Sequence, residues 1–133
     1  MFRFWRKQTA NIDTNLIEEE ISRSRRYEQT FGLVILELRT SGSMGLGRFL
    51  PGKTISYQVL KSHLRFYDKV IGPFIRRYCI LIPQTTKEGL AATKKRLEVL
   101  VLESGLGRSY IGHAFYPEDG DTAQQLIKKA MGL

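Results

Sequence analysis

The segment from Phe31 to Leu38 constrains the fold of this chain more than any other. It contains the run Leu33-Val-Ile-Leu36, in which apolar residues follow one another without the alternation of a half-exposed strand. Such a run is typical of a strand that is buried on both faces. We therefore predict a strand inside a sheet, and the rest of the chain must supply the elements that cover it.

Hydrophobic periodicity and turn residues predict the elements around this strand. Helices are expected at four places, which are 15–27, 55–64, 86–103 and 122–131. The first of them begins with Asn15-x-x-Glu18, which fits a capping box. Further strands are expected at 69–72, 77–82 and 109–116. The Gly-rich segment between Thr40 and Lys53 is predicted to be a long loop.

The predicted order α-β-α-β-β-α-β-α contains the ferredoxin-like plan βαββαβ, an antiparallel sheet with two helices on one face. We therefore predict an α+β domain over residues 13–133, with additional helices at its N-terminal and C-terminal ends. Residues 1–12, which are rich in basic and aromatic side chains, are expected to be a flexible N-terminus. This plan hosts many kinds of chemistry, so it does not by itself indicate a function.

Length and composition exclude several classes of protein. A chain of 133 residues can bury a core without a metal or disulfide staple, and its single cysteine, Cys79, rules out an internal disulfide. No stretch approaches the roughly 18 consecutive apolar residues of a membrane span, and the basic N-terminus is not followed by the apolar region of a signal peptide. We expect a cytoplasmic protein with no membrane span.

The positive charge of the chain is concentrated in its middle. Between Lys61 and Leu100 lie nine basic and three acidic residues, which account for +6 of the formal net charge of +8. A localised positive field favours an anionic partner, which can be a nucleic acid, an anionic membrane or a phosphorylated small molecule. The alternative is that these residues form an ordinary solvated basic surface.

One segment matches the phosphate-binding P-loop pattern G-x-x-x-x-G-K-[ST]. It runs from Gly47 to Thr54 and precedes a predicted helix, as the pattern requires. The residues before it are polar and Gly-rich, whereas a P-loop follows directly on a buried strand. No predicted strand ends in the aspartate that such a site needs for Mg²⁺. These departures favour a flexible loop ahead of the helix.

Three other segments carry a family pattern. Tyr110-Ile-Gly-His-Ala-Phe-Tyr-Pro-Glu-Asp-Gly120 looks like the strand and turn S-I-G-v-A-x-Y-P-x-D-G, and Arg25-Arg26-Tyr27 precedes an apolar strand as in A-R-R-Y. The segment Asp68–Pro83 aligns without a gap to D-x-v-x-R-x-G-G-D/E-E-F-x-i-l-l-P. Over Glu18–Ala130 the chain thus resembles the GGDEF domain of diguanylate cyclases, which condense two GTP molecules into cyclic di-GMP.

The residues that give that family its name are replaced here. The alignment puts Phe74-Ile75-Arg76-Arg77-Tyr78 at the Gly-Gly-Asp/Glu-Glu-Phe positions. Phe74 and Ile75 close the space that the glycines leave for the nucleotide, and Arg76 repels the Mg²⁺ ion that an acidic residue would bind. The paired aspartates of the family's first strand fall at Glu37 and Arg39. The resemblance therefore implies a chain that is not an enzyme, with no catalytic residues, no metal site and no cofactor.

One family feature is retained. Many cyclases carry an inhibitory R-x-x-D site that binds cyclic di-GMP, and its position in the alignment falls on Arg65-Phe66-Tyr67-Asp68. The arginine fork can donate to guanine O6 and N7, and the carboxylate can accept from guanine N–H groups. In some members a second arginine completes the pocket, and Arg96 occupies its place. The alternative is that Arg65 and Asp68 form an ion pair at a helix end, with Arg96 solvated.

The resemblance implies a receptor for cyclic di-GMP that relays the signal to a protein partner or forms a ligand-linked self-dimer. The second hypothesis is a protein-interaction or dimerisation module that binds no nucleotide and uses Phe74 and Ile75 as contact residues at a hairpin tip. The third is non-specific nucleic-acid binding by the basic segment, with an affinity that falls steeply with salt. We expect no sequence-specific nucleic-acid recognition.

Overall fold

The computed structural model describes residues 14–38, 57–74, 77–105 and 109–133. These ranges contain four helices, which are α1 (Thr14–Tyr27), α2 (Tyr57–Ser62), α3 (Lys87–Glu103) and α4 (Ala123–Ala130). They also contain four strands, which are β1 (Phe31–Leu38), β2 (Lys69–Phe74), β3 (Arg77–Pro83) and β4 (Ser109–Tyr116). The predicted order of elements is confirmed.

The four strands form one antiparallel sheet in the order β2-β3-β1-β4. In this order β1 is central, and its residue Ile35 lies opposite Cys79 on β3 and Gly112 on β4. The arrangement confirms the predicted α+β class and the βαββαβ plan. It also brings the end of β1 beside the start of β3, where the family signature would lie.

Helices cover both faces of the sheet, which explains the unbroken apolar run in β1. On one face α1 and α4 pack against alternate residues of the strands, and the buried side chains there include Ile17, Leu33, Ile35, Leu126 and Ile127. On the other face α2 and α3 do the same, with Leu60, Val34, Leu36, Leu90 and Leu97 among the buried side chains. Because helices pack against both faces of β1, the prediction that both its faces are buried is confirmed.

The C-terminal end of α4 lies directly on β4, and a glycine makes this approach possible. A Cβ atom at Gly112 would lie 1.7 Å from the carbonyl oxygen of Ala130, far inside van der Waals contact. The hydroxyl of Tyr110 donates a hydrogen bond to the same oxygen at 2.8 Å. The glycine and tyrosine of the Ser109–Tyr116 strand therefore fix where α4 sits.

The N-termini of two helices agree with the positions predicted from the sequence, and the N-terminus of a third differs. Thr86 and Thr122 are the N-caps of α3 and α4, and each hydroxyl accepts a backbone N–H three residues on. The capping box at Asn15 is wrong, because α1 begins at Thr14 and Asn15 lies inside its first turn. The carboxylate of Glu18 instead accepts the N–H of Ala123 at 3.3 Å, so it stabilises the start of α4.

Several predictions fall on residues that are not described. The flexible N-terminus at 1–12, the long loop and the P-loop-like segment Gly47–Thr54 all lie outside the described residues. Within the described ranges, no helix is both long enough and apolar enough to cross a membrane.

Candidate ligand-binding site

The R-x-x-D segment forms a tight turn between α2 and β2, and its first and last residues close it. The backbone N–H of Arg65 donates to Asp68 Oδ2 at 2.9 Å, and the N–H of Asp68 donates to the Arg65 carbonyl oxygen at 3.0 Å. Asp68 is fully buried, with 0% of its surface exposed. The aspartate is thus a structural part of the turn as well as a candidate ligand.

The guanidinium of Arg65 is partly occupied by contacts within the protein. Its Nη2 donates to Asp68 Oδ1 and to the carbonyl oxygen of Pro83, both at 3.1 Å, and Nε lies 3.5 Å from Asp68 Oδ2. The side chain is 35% exposed. Among the described residues Nη1 has no hydrogen-bond partner, so its two N–H groups are the donors that remain for a ligand.

Two aromatic side chains occupy the middle of the turn. Phe66 is 91% exposed, and its ring meets the ring of Tyr67 edge to face with 5.5 Å between centroids. The guanidinium carbon of Arg65 lies 4.4 Å from the centroid of the Tyr67 ring. The ammonium of Lys61 donates to the carbonyl oxygens of Asp68 and Phe66. Sequence reasoning singled out the ends of R-x-x-D and missed the two residues between them.

Arg96 does not share hydrogen bonds with this turn. Its Nη2 donates to the hydroxyl of Thr93, one turn earlier on α3, at 3.2 Å. With His63, Lys95 and Val99 it lines a shallow apolar groove of about 330 Å³ between α3 and the end of α2. The structure therefore brings Arg65 and Asp68 together, and it places Arg96 beside a neighbouring groove.

A buried ion pair lies where the end of β1 meets the start of β3, the two inner strands of the sheet. This is the position at which the family signature would be. Arg77 begins β3 opposite Glu37 on β1, and its Nη2 and Nε donate to Glu37 Oε2 at 2.7 and 3.3 Å. The side chains are 4% and 17% exposed. Sequence reasoning placed both residues by alignment but did not pair them, although β1 and β3 as neighbouring antiparallel strands would have indicated it.

This pair does not suit a magnesium ion. A carboxylate that already binds a guanidinium offers little to a cation, and the arginine charge adds repulsion. In the part of the chain that is described, no group of three or more His, Cys, Asp or Glu residues could hold a metal ion. Arg39, Ile75 and Arg76 lie outside the described residues, as does the side chain of Phe74. Tyr78 is buried, and burial raises the pKa of its hydroxyl.

Comparison with known proteins identifies the fold. No family model matches the chain, and no curated protein matches it in sequence. Solved structures do match: the GGDEF domain of YfiN (TpbB) from Pseudomonas aeruginosa superimposes with a TM-score of 0.67, at 14% identity, over 92% of this chain and 87% of that one. The fold is that of a GGDEF domain.

Two further solved structures share this GGDEF fold. A DGC protein from Thermotoga maritima matches with a TM-score of 0.62 at 17% identity, over 88% of this chain and 87% of that one. The diguanylate cyclase SiaD from Pseudomonas aeruginosa, solved in complex with its activator SiaC, matches with a TM-score of 0.65 at 20% identity. The match covers 90% of this chain and 50% of SiaD. In the GGDEF fold of this chain, the Arg77–Glu37 pair lies where β3 leaves the β2–β3 hairpin.

Proposed function

We propose that this GGDEF-fold chain does not cyclise GTP and that it binds cyclic di-GMP at the turn formed by Arg65 and Asp68. We further propose that it relays ligand binding to a protein partner or to a second copy of itself. The buried pair of Arg77 and Glu37 is the observation that carries the first statement. The turn and the positive charge around it support the second.

The ion pair argues against cyclase chemistry on electrostatic grounds. Two-metal and one-metal catalysis of phosphoryl transfer both need carboxylates that hold Mg²⁺ against the triphosphate. At this edge of the sheet Glu37 is neutralised by Arg77, with 2.7 Å between their charged atoms. The guanidinium of Arg77 is a permanent part of the protein, and it occupies the place beside Glu37 that a Mg²⁺ ion would need. We infer that the chain has lost the catalytic site and has kept the fold.

The turn supports binding of a guanine nucleotide. Within the described ranges the two N–H groups on Nη1 of Arg65 have no partner, and a cationic donor of this kind suits guanine O6 and N7 or a phosphate oxygen. Lys61, Lys69 and Arg65 contribute three basic residues around it. Because Asp68 is buried, its role at rest is to hold Arg65, and its oxygens reach a ligand only if the turn opens.

Relay to a partner requires that the ligand favours one of two states of the protein, since only differential affinity shifts an equilibrium. The contact between Arg65 and the Pro83 carbonyl links the turn to the end of β3, immediately before α3. A ligand that draws Arg65 away would release this contact. The partner surface would then include α3 and the groove that Arg96 lines.

One observation favours a second candidate function, a protein-interaction module that binds no nucleotide. Both oxygens of Asp68 already accept hydrogen bonds within the turn, which is what a purely structural R-x-x-D would show. Apolar side chains are also exposed near the groove, with Val99 45% and Leu102 80% exposed on α3. In this case the exposed side of α3 would contact a partner protein directly.

Two experiments test the proposal. Incubation with GTP and Mg²⁺ is expected to yield no cyclic di-GMP by chromatography, and its formation would overturn the first statement. Calorimetric titration of cyclic di-GMP is expected to show binding that weakens about five- to 150-fold in Arg65→Ala, with GTP as the control ligand. Arg26→Ala, which removes an exposed arginine from α1, is the matched control and is expected to bind like the wild type.

The variants separate the competing hypotheses. Asp68→Asn and Arg96→Ala are both expected to weaken binding, the first through the position of Arg65 and the second through a direct contact. If binding instead falls steeply with salt and shows no preference for guanine dinucleotides, non-specific nucleic-acid binding is favoured. If the folded wild type binds no cyclic di-GMP at all, the proposed binding is wrong and the protein-interaction module is favoured.

A further inference from the structure

The turn between α2 and β2 exposes aromatic surface in an unusual place. Phe66 is 91% exposed, more than any other large apolar side chain in the described part of the chain, and Tyr67 beside it is 43% exposed. Both lie next to Arg65, whose Nη1 has no hydrogen-bond partner among the described residues. Two adjacent exposed rings beside a cationic side chain form a surface to which a flat aromatic ligand can bind.

The turn holds the backbone of Phe66 and Tyr67 in a fixed position. Reciprocal hydrogen bonds between Arg65 and Asp68 close it, and the buried carboxylate of Asp68 anchors it to the domain. The ammonium of Lys61 binds the carbonyl oxygens of Phe66 and Asp68 from the helix side. A ring carried on an ordered backbone costs less conformational entropy to immobilise than a ring on a flexible loop, so this preorganisation of the backbone favours binding.

The groups around the turn match the chemistry of a purine base. Arg65 lies over the face of Tyr67, with 4.4 Å from its guanidinium carbon to the ring centroid, and Phe66 meets the same ring edge to face. Tyr67 thus joins a cationic donor and an open aromatic face in one cluster. A purine has a flat π-face for Phe66 to stack on and acceptor atoms at its edge for Arg65.

We propose that the ring of Phe66, supported by its edge-to-face contact with Tyr67, is a stacking platform for the guanine base of the bound nucleotide, with Arg65 Nη1 directed at the edge of the base. This inference rests on the proposed function, because it assigns a new contact to the same site. It differs from the expected R-x-x-D site, in which Arg65, Asp68 and Arg96 contact the ligand. Here the two intervening residues supply the apolar part of the binding surface.

The test is a calorimetric titration of cyclic di-GMP into the whole chain and four variants. Phe66→Ala removes the platform, Phe66→Trp keeps an aromatic face, and Arg65→Ala removes the polar contact. Tyr27→Ala is the matched control, because Tyr27 is 59% exposed at the end of α1, on the opposite face of the sheet, and truncating it also removes an exposed aromatic ring. Circular dichroism serves to check that each variant is folded. The Phe66 variants are expected to fold, because Phe66 is exposed and contributes almost nothing to the core.

We expect Phe66→Ala to weaken binding about five- to 150-fold, the range measured for loss of one base–aromatic stack. Phe66→Trp is expected to bind at least as tightly as the wild type, and Tyr27→Ala like the wild type. If Phe66→Ala binds as the wild type does while Arg65→Ala is weakened, the platform is wrong and the proposed function stands. Equal weakening in Phe66→Ala and Tyr27→Ala would also overturn the platform.

A folded wild type without any binding would overturn both the proposed function and this inference. A second readout reports stacking directly. In a Trp5→Phe background the indole of Phe66→Trp is the only tryptophan. Its emission is expected to change in a saturable manner with cyclic di-GMP. An unchanged emission at saturating ligand, with binding confirmed by calorimetry, would contradict contact between the base and residue 66.

Discussion

The guanidinium of Arg77 on β3 lies against the carboxylate of Glu37, its cross-strand neighbour on β1, with 2.7 Å between Nη2 and Oε2. Both side chains are largely withdrawn from water, so each charge depends on the other for stabilisation. The pair therefore holds two opposite charges together where the end of β1 lies beside the start of β3.

Removal of Arg77 is expected to destabilise the fold. In Arg77→Met the carboxylate of Glu37 stays partly buried without the guanidinium, and we expect a loss of about 3 kcal/mol in the free energy of unfolding by urea denaturation. Lys87→Ala is the control, because the pair of Lys87 with Glu118 is exposed and should contribute nothing measurable. Equal stability of the wild type and Arg77→Met would contradict a structural role for the pair.

Asp68 is expected to matter for stability even without ligand. Its buried carboxylate accepts the N–H and the guanidinium of Arg65, and Asp68→Ala leaves both donors unsatisfied. We expect a cost of about 2 kcal/mol in urea denaturation. Asp121→Ala, at an exposed position before α4, provides the comparison and is expected to change little. An unchanged unfolding midpoint in Asp68→Ala would show that the turn does not depend on this carboxylate.

Gly112 is expected to tolerate no side chain. In Gly112→Ala the new Cβ would lie 1.7 Å from the Ala130 carbonyl oxygen, which belongs to backbone that cannot turn away, so α4 must shift. We expect a loss of about 2 kcal/mol or more. The control is Gly89→Ala on α3, where the Cβ meets the Thr85 hydroxyl and the higher helix propensity of alanine offsets the crowding. If both variants unfold at the same urea concentration, the close approach of α4 is not required.

His113 is expected to make stability depend on pH. Partial burial lowers the pKa of His113 below its usual value, and Lys94 lowers it further. The folded state therefore favours the neutral ring. Its contribution is complete above the unfolded pKa of about 6.5 and is lost as the pH falls through the lower folded pKa. His113→Gln should show a smaller loss of stability between about pH 7 and pH 5 than the wild type. His63→Gln is the control, and an identical pH profile in His113→Gln and the wild type would contradict this assignment.

Local pattern in the sequence sufficed for most of the fold. The unbroken apolar run of β1 indicated burial on both faces, and hydrophobic periodicity placed helices at 86–103 and 122–131, where α3 and α4 lie. These signals act over a few residues. The βαββαβ plan followed from the order of elements, because few topologies connect them without crossings.

Local sequence patterns did not predict contacts between residues that are far apart along the chain. Glu18 was assigned to a capping box, but its partner is the N–H of Ala123, which is 105 residues away. The predicted helix at 55–64 includes His63, but α2 ends at Ser62 and His63 is exposed. The hydrogen bond from Arg65 to the carbonyl oxygen of Pro83 depends on how the turn packs against β3. Hydrophobic periodicity carries no information about that packing.

Binding of cyclic di-GMP to this chain is tested most directly by calorimetric titration of that ligand into the wild type. We predict saturable binding with a micromolar dissociation constant, retained at high salt and absent with GTP. Arg65→Ala is expected to remove most of this affinity, whereas Arg26→Ala is not. A flat titration of the folded wild type, with no rise in its melting temperature when cyclic di-GMP is added, would contradict the claim.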